Sequence, residues 1–144
     1  MFIARVTSPT DELLATFQKL IPQFKSNFPL LTQEELAALI AAESSLVYIA
    51  RYPDETAPIA GVLTLIIYRV PTGIRARIED VVVDEPLRGQ GIGEELVRHA
   101  IRVARDSGAD GVALTSNPRR TAANHLYQKL GFKLWKTNLY FYEF

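Results

Sequence analysis

The sequence predicts a mixed α/β fold, with layers of helix and strand packed around a shared core. Three observations carry that expectation. Apolar residues recur at helical spacing in four stretches, and alternate or run continuously in several shorter ones. The order of these stretches is strand, two helices, three strands, helix, strand, helix, two strands. The chain has 144 residues, of which 48% are hydrophobic and 22% charged. That composition suits one globular domain, residues 1–144, with a sizeable core.

Taken in order, "FIARV" (2–6) is a short apolar strand. The next stretch, "SPTDELLATFQKLIPQF", reads as a helix capped by Ser8, with Pro9 at its first position and Asp11 three residues after the cap. Leu13, Phe17, Leu20 and Phe24 mark its apolar face. Thr32 with Glu35 forms a second start signal, opening "TQEELAALIAAES" with Leu36, Leu39 and Ile40 on one side. "SLVYIARY" (45–52) and "IAGVLTLIIYRV" (59–70) read as strands separated by the turn cluster "YPDETAP". After "PTG" (71–73), "IRARIEDVVVD" (74–84) alternates and then becomes continuously apolar, as a strand buried on both faces does.

From Ile92 to Ser107 the period is helical, with a stripe of Leu96, Val97, Ala100, Ile101 and Ala104 that stops at Gly108. Glu94 and Arg98 make a favourable pair on the other side. "GVALTS" (111–116) is a strand, and "RRTAANHLYQKLGF" (119–132) a helix stopped by Gly131. "FKLWKT" and "NLYFYEF" close the chain as strands.

Several function classes are excluded or disfavoured. There is no cysteine, so disulfides, thiolate metal sites and a cysteine nucleophile are ruled out. The formal net charge is zero; residues 1–72 carry 5 basic and 7 acidic groups, and residues 73–144 carry 11 and 9. That imbalance is too small to predict nucleic-acid or membrane binding. The N-terminus does not read as a signal peptide, and no apolar run approaches a membrane span. A cytoplasmic setting is the default expectation. His99 and His125 lack partners at metal spacing, and no metal is expected.

The stretch "VVVDEPLRGQGIGEELVRHA" (81–100) places Gly89, Gly91 and Gly93 between an apolar strand and a helix start. The first N–H groups of a helix have no internal partners and lie at the positive end of its dipole, so this arrangement suits an anion. It is not a P-loop, because Glu94-Glu95 stand where Lys-Ser/Thr should follow. Nor is it a dinucleotide fingerprint, because Glu94 takes the place of the third glycine. It reads instead Arg88-x-x-Gly91-x-Gly93. About 30 residues later comes "AANHLYQKLGF", a helix with Asn and Tyr ending at Gly-Phe.

Together these segments resemble the GNAT superfamily, the acetyl-CoA-dependent N-acetyltransferases. The resemblance is close over residues 74–136 and rests on element order elsewhere. It implies a central, mostly antiparallel twisted sheet with helices on both faces. It implies that acetyl-CoA is the co-substrate. Its pyrophosphate would rest on Arg88, Gly89, Gln90, Gly91, Ile92 and Gly93, and its pantetheine arm would run beside Val81, Val82 and Val83. A bulge near Val81 or Val82 would free an N–H to polarise the thioester carbonyl.

Acetyl transfer to an amine needs a neutral amine, a stabilised oxyanion, aligned reactants and a proton for the departing thiolate. By resemblance Glu79 is the base, with Asp80 the adjacent alternative; pairing with Arg75 or Arg77 is the structural reading of both. Tyr127 matches the family's general acid, and Asn124, one turn earlier, would bind the pantetheine. The competing readings are a packed aromatic and a surface amide. Arg119 and Arg120 meet either a phosphate or solvent, and Asn117 makes a turn. The aromatic "YFYEF" terminus reads as a core-facing strand, an acceptor-pocket lining or the edge of a homodimer.

The expected activity is direct acetyl transfer, in a ternary complex, to a primary amine. A small molecule is favoured over a protein amine as acceptor. The alternative is a non-catalytic acyl-CoA-binding module on the same fold.

Overall fold

The capping box anticipated at Thr32 forms in the computed structural model, which describes residues 1–144. The Thr32 N–H donates to Glu35 Oε2 at 2.8 Å, and the Glu35 N–H donates to Thr32 Oγ1 at 3.2 Å. The first helix starts later than the sequence predicts. Thr10, not Ser8, is its cap, accepting from the Leu13 N–H at 3.2 Å, so that Asp11 and Glu12 fall in the first turn where the dipole favours them.

The elements are β1 (Phe2–Arg5), α1 (Asp11–Phe24), α2 (Gln33–Ala41), β2 (Ser45–Arg51), β3 (Ile59–Val70), β4 (Gly73–Val83), α3 (Ile92–Asp106), β5 (Val112–Ala113) and α4 (Thr121–Lys129). A short 3-10 turn, Glu85–Leu87, lies between β4 and α3. The sheet order is β1-β2-β3-β4-β5; the first four strands pair antiparallel and β5 joins β4 in parallel.

Strands β2 and β3 are continuously apolar because both faces are covered. Val47, Ile49 and Val62 pack with Leu13, Phe17, Leu20 and Leu36 of α1 and α2. Their sequence neighbours Tyr48, Leu63 and Leu65 point the other way, onto Leu96, Val97, Ala100 and Ala104 of α3. Tyr127 of α4 and Leu130 just after it pack against this second cluster. Helix α3 sits so close to β3 that a Cβ on Gly61 would meet Leu96 Cδ1 at 3.2 Å and Val82 O at 3.1 Å. Truncating Leu96, which is fully buried, costs about 2–5 kcal/mol on this kind of core position.

The β3–β4 ladder shifts by one residue. Val62 faces Val82 and Thr64 faces Glu79, so Leu63 alone opposes Asp80 and Val81. Asp80 takes φ 48°, a left-handed conformation uncommon outside glycine. The bulge therefore falls at Asp80–Val81, in the region expected near Val81 or Val82.

The C-terminal third departs most from the sequence reading. Of the strand expected over 111–116, only Val112–Ala113 pairs. The helix expected over 119–132 is trimmed to Thr121–Lys129. The two closing strands do not form: residues 133–144 take no regular structure. Their alternating pattern needs a neighbouring strand to become a ladder, and β5 keeps its outer edge unpaired within this chain.

Candidate active site

The loop after β4 is fastened from below. Asp84 is buried, its N–H donates to Ala60 O at 2.9 Å, and its carboxylate accepts from Lys19 Nζ and Gln23 Nε2 of α1. The next N–H, that of Glu85, donates to Gln23 Oε1 at 3.0 Å. The chain then climbs through the 3-10 turn to Gly89 and Gly91, with φ of 80° and 79°. Gly91 is the N-cap of α3 and has no side chain with which to cap it. The first helical bond runs from the Glu95 N–H to Gly91 O, which leaves the N–H groups of Ile92, Gly93 and Glu94 without helical partners. Open space surrounds the Cβ directions of Gly89 and Gly91. Their left-handed backbone, rather than packing, is what excludes other residues.

These groups border a cavity of about 670 Å³. Its floor is Val81, Val82 and Val83 of β4; one end is Arg88, Gly89, Gly91, Ile92 and Gly93; the far wall is Arg119 to Ala123, Leu126 and Tyr127 of α4 and its approach; Phe24 and Gln23 of α1 close the side. The shape suits an elongated ligand that is apolar along its length and anionic at the helix end. Arg88 also reaches back, with Nε donating to Val83 O at 3.2 Å.

Not every expected residue joins this cavity. Gln90 is beside it but turned away, its Oε1 accepting from Tyr52 Oη at 3.4 Å. The Asn124 amide donates to Asn117 O and Arg120 O, both at 2.9 Å, and so ties α4 to the loop before it. Asn117 makes its turn through Oδ1, which accepts from the Arg119 N–H at 2.9 Å. Glu79 is paired with Arg77 two residues earlier on the same face of β4.

Asp80 sits differently. Asp80 is exposed on the strand, yet the desolvation its neighbours impose, followed by the charge of Glu79, pushes its carboxyl above the usual carboxylate range. Lys25 and Arg120 pull it partly back. Arg120 is held in place by stacking on Phe24, 4.0 Å from the ring centroid. Tyr127 is half-buried on the cavity wall, edge-on to Phe132 with ring centroids 5.8 Å apart. Burial raises its phenol above the ordinary value, so it carries its proton at neutral pH.

Sequence reasoning missed Lys19, Gln23, Phe24 and Asp84. An aspartate ending a fully apolar strand is a signal for Asp84, but nothing in α1 names its partners. No group of three or more His, Cys, Asp or Glu is placed to hold a metal ion, and no helix is long and apolar enough to cross a membrane.

Comparison with known proteins places the chain in a family. Residues 13–132 match the model of the acetyltransferase (GNAT) family. The chain is 36% identical over 110 residues to glucosamine 6-phosphate N-acetyltransferase 1 of Oryza sativa subsp. japonica, covering 75% of this chain and 65% of that protein. It is 38% identical over 68 residues to N-alpha-acetyltransferase MAK3 of Arabidopsis thaliana, covering 47% and 36%. The curated relatives it matches are longer proteins, of which it spans less than two thirds. Among solved structures, a putative acetyltransferase from Agrobacterium tumefaciens str. C58 superposes with a TM-score of 0.83 at 25% identity, covering 99% of this chain and 100% of that one. By fold, by loop and by family match, the chain belongs to the GNAT acetyltransferases.

Proposed function

We infer that residues 1–144 form one catalytic domain that moves an acetyl group from acetyl-CoA to a primary amine by direct attack within a ternary complex. The observation that carries this reading is the cavity itself. An apolar strand end and an uncapped helix start meet at one end of it, with a protonated tyrosine on its wall. Acetyl-CoA supplies the acetyl group, activated as a thioester. The N–H groups at residues 88–93 bind its pyrophosphate, and the backbone of Val81–Val83 lies along its arm. An N–H loosened by the bulge at Asp80–Val81 polarises the carbonyl oxygen. Tyr127 protonates the departing sulfur.

A carboxylate at the end of β4 takes the proton of the amine. Glu79 is the residue the sequence points to, and it is paired with Arg77. Asp80 lies at the bulge, near the charges of Lys25 and Arg120, and its raised pKa suits a base working nearer neutrality. We therefore favour Asp80, whose pKa is raised by burial and then by the charge of Glu79. The acceptor is a small-molecule amine. The rice relative, which aligns over more of its length than the Arabidopsis one, is named for an amino sugar phosphate. Lys25 and Arg120 beside Asp80 also suit an acceptor that carries an anionic group.

Calorimetry with CoA, acetyl-CoA and ATP, followed by an amine panel with detection of free thiol, tests this. The expected result is binding of CoA and acetyl-CoA but not ATP, and thiol release with at least one small amine. Tight CoA binding with no turnover on any amine would favour the non-catalytic module.

A further inference from the structure

The first turn of α3 carries two glutamates, Glu94 and Glu95. Acidic side chains suit a helix start, but an anionic ligand seeks the same positive end and shares their sign. Glu94 is the sharper case. It borders the cavity beside Gly91 and Gly93, and its own N–H is one of those the helix leaves without a partner. Glu95 does not border the cavity.

Two cations make a carboxylate tolerable there. Arg98, one turn along α3, donates to Glu94 Oε1 from Nη2 at 2.8 Å and from Nε at 3.2 Å. Lys129 Nζ, from the last residue of α4, donates to Glu94 Oε2 at 2.7 Å. Helix α4 lies against this turn: a Cβ on Gly93 would stand 3.9 Å from Leu126 Cδ2, and Lys129 is the next turn on from Leu126. The Glu94 side chain is 22% exposed, against 45% for Arg98 and 57% for Lys129, so the carboxylate is the inner member of the group. Lys129, then Arg98, hold its carboxyl below the usual range, and it is charged at neutral pH. Two cations against one carboxylate leave the group with a net positive charge.

We propose that Glu94 limits the affinity of this site for the diphosphate, gathering Lys129 and Arg98 at the start of α3 while cancelling part of their pull on the ligand. The proposal rests on the reading that acetyl-CoA binds with its diphosphate at residues 88–93. Product CoA carries the same diphosphate as acetyl-CoA. Whatever grips that group grips substrate and product alike, and such uniform binding lowers KM without raising kcat. A carboxylate beside two cations keeps the site attractive to an anion while letting the product leave. In this account Glu94 is an affinity-setting residue that touches no reacting atom, and Lys129 and Arg98 are its counter-charges.

Opposite substitutions test this. Glu94→Gln keeps the shape and removes the charge, so CoA affinity by calorimetry at low salt should rise about threefold or more. Lys129→Met removes a cation and leaves Glu94 less opposed, so affinity should fall by a similar factor. Both variants break the same bond between α3 and α4, and loss of a purely structural tie would move affinity the same way in both. Both shifts should shrink toward the wild-type value near 1 M salt, where screening acts within about 3 Å. Pantetheine, which has the arm and lacks the diphosphate, should bind all three chains equally. Arg98→Met leaves the α3–α4 bond in place and should also weaken CoA, which decides the matter if either other variant fails to fold. Wild type that binds no CoA overturns the cofactor reading and this proposal with it. Wild type that binds CoA, with shifts in one direction, no shifts, or unequal pantetheine binding, overturns the proposal alone.

Discussion

Lys19 of α1 donates a hydrogen bond to the buried Asp84, where β4 ends, across 65 positions of sequence. The contact joins the helix that closes one side of the cavity to the loop that leads into α3. With Gln23 on the other carboxylate oxygen, it fixes where the loop begins.

Loss of this contact should be visible as a pH-dependent stability change. The Lys19 ammonium, followed by the Gln23 amide, holds the Asp84 carboxyl below its ordinary range. A carboxylate whose folded pKa is depressed stabilises the fold above its unfolded pKa, near 4, and that contribution fades as pH falls through the folded value. Lys19 is largely exposed, so Lys19→Met should cost only about 1–2 kcal/mol at pH 7. Urea unfolding at pH 7 and again near pH 3 checks this. The gap between wild type and variant should close in acid, and an equal gap at both values would mean that the charge is not the cause.

Gly91→Val tests the anion site. Valine at φ 79° is strained by about 1–3 kcal/mol, and its side chain enters the space a phosphate would use. CoA affinity by calorimetry should fall more than tenfold. The melting temperature should drop by several degrees with the fold retained. Unchanged affinity in a folded variant would sink the loop assignment.

The two carboxylates at the end of β4 can be divided by substitution. Asparagine accepts left-handed backbone at least as well as aspartate, so Asp80→Asn keeps the bulge while removing the base. If Asp80 takes the amine proton, kcat/KM should fall roughly 10²- to 10⁴-fold and lose its acidic limb, with acetyl-CoA affinity nearly unchanged. Because the raised pKa means that ionised Asp80 opposes folding above the unfolded value, the same variant should melt higher at pH 7. Glu79→Gln removes the neighbouring charge that helps raise Asp80, so the limb should move to lower pH and persist. A limb abolished by Glu79→Gln instead would make Glu79 the base.

What the sequence revealed, and what it hid, follows from the range of the interactions. The capping box at Thr32, the glycine loop and the two-faced burial of β2 and β3 are local patterns, legible in residues a few positions apart. The bulge is expected near Val81 or Val82 and forms at Asp80–Val81, its register set by which β3 residue stands opposite. Asn124 has the right identity and spacing for a ligand contact, yet its amide is used on Asn117 and Arg120 carbonyls, a tertiary choice that spacing cannot reveal. The closing strands expected from the alternating pattern do not form, since pairing needs a partner that this chain does not present to them.

Tyr127 supports the most direct test of the chemistry. It lines the cavity between Gly93 and the approach to α4, edge-on to Phe132, and its phenol is kept protonated by burial. Tyr127→Phe removes one oxygen and almost no volume, so the packing with Phe132 and the core should survive. If the hydroxyl delivers a proton to the departing thiolate, its contact matters mainly in the transition state. The turnover number should then fall more than tenfold while acetyl-CoA affinity moves little. An acyl donor with a more acidic thiol needs less help to leave, so its loss should be smaller. Pre-steady-state rates of thiol release, measured for both donors, separate the chemical step from product release. Equal losses with the two donors would assign the hydroxyl to positioning, and an unchanged chemical rate would leave Tyr127 as an aromatic of the core.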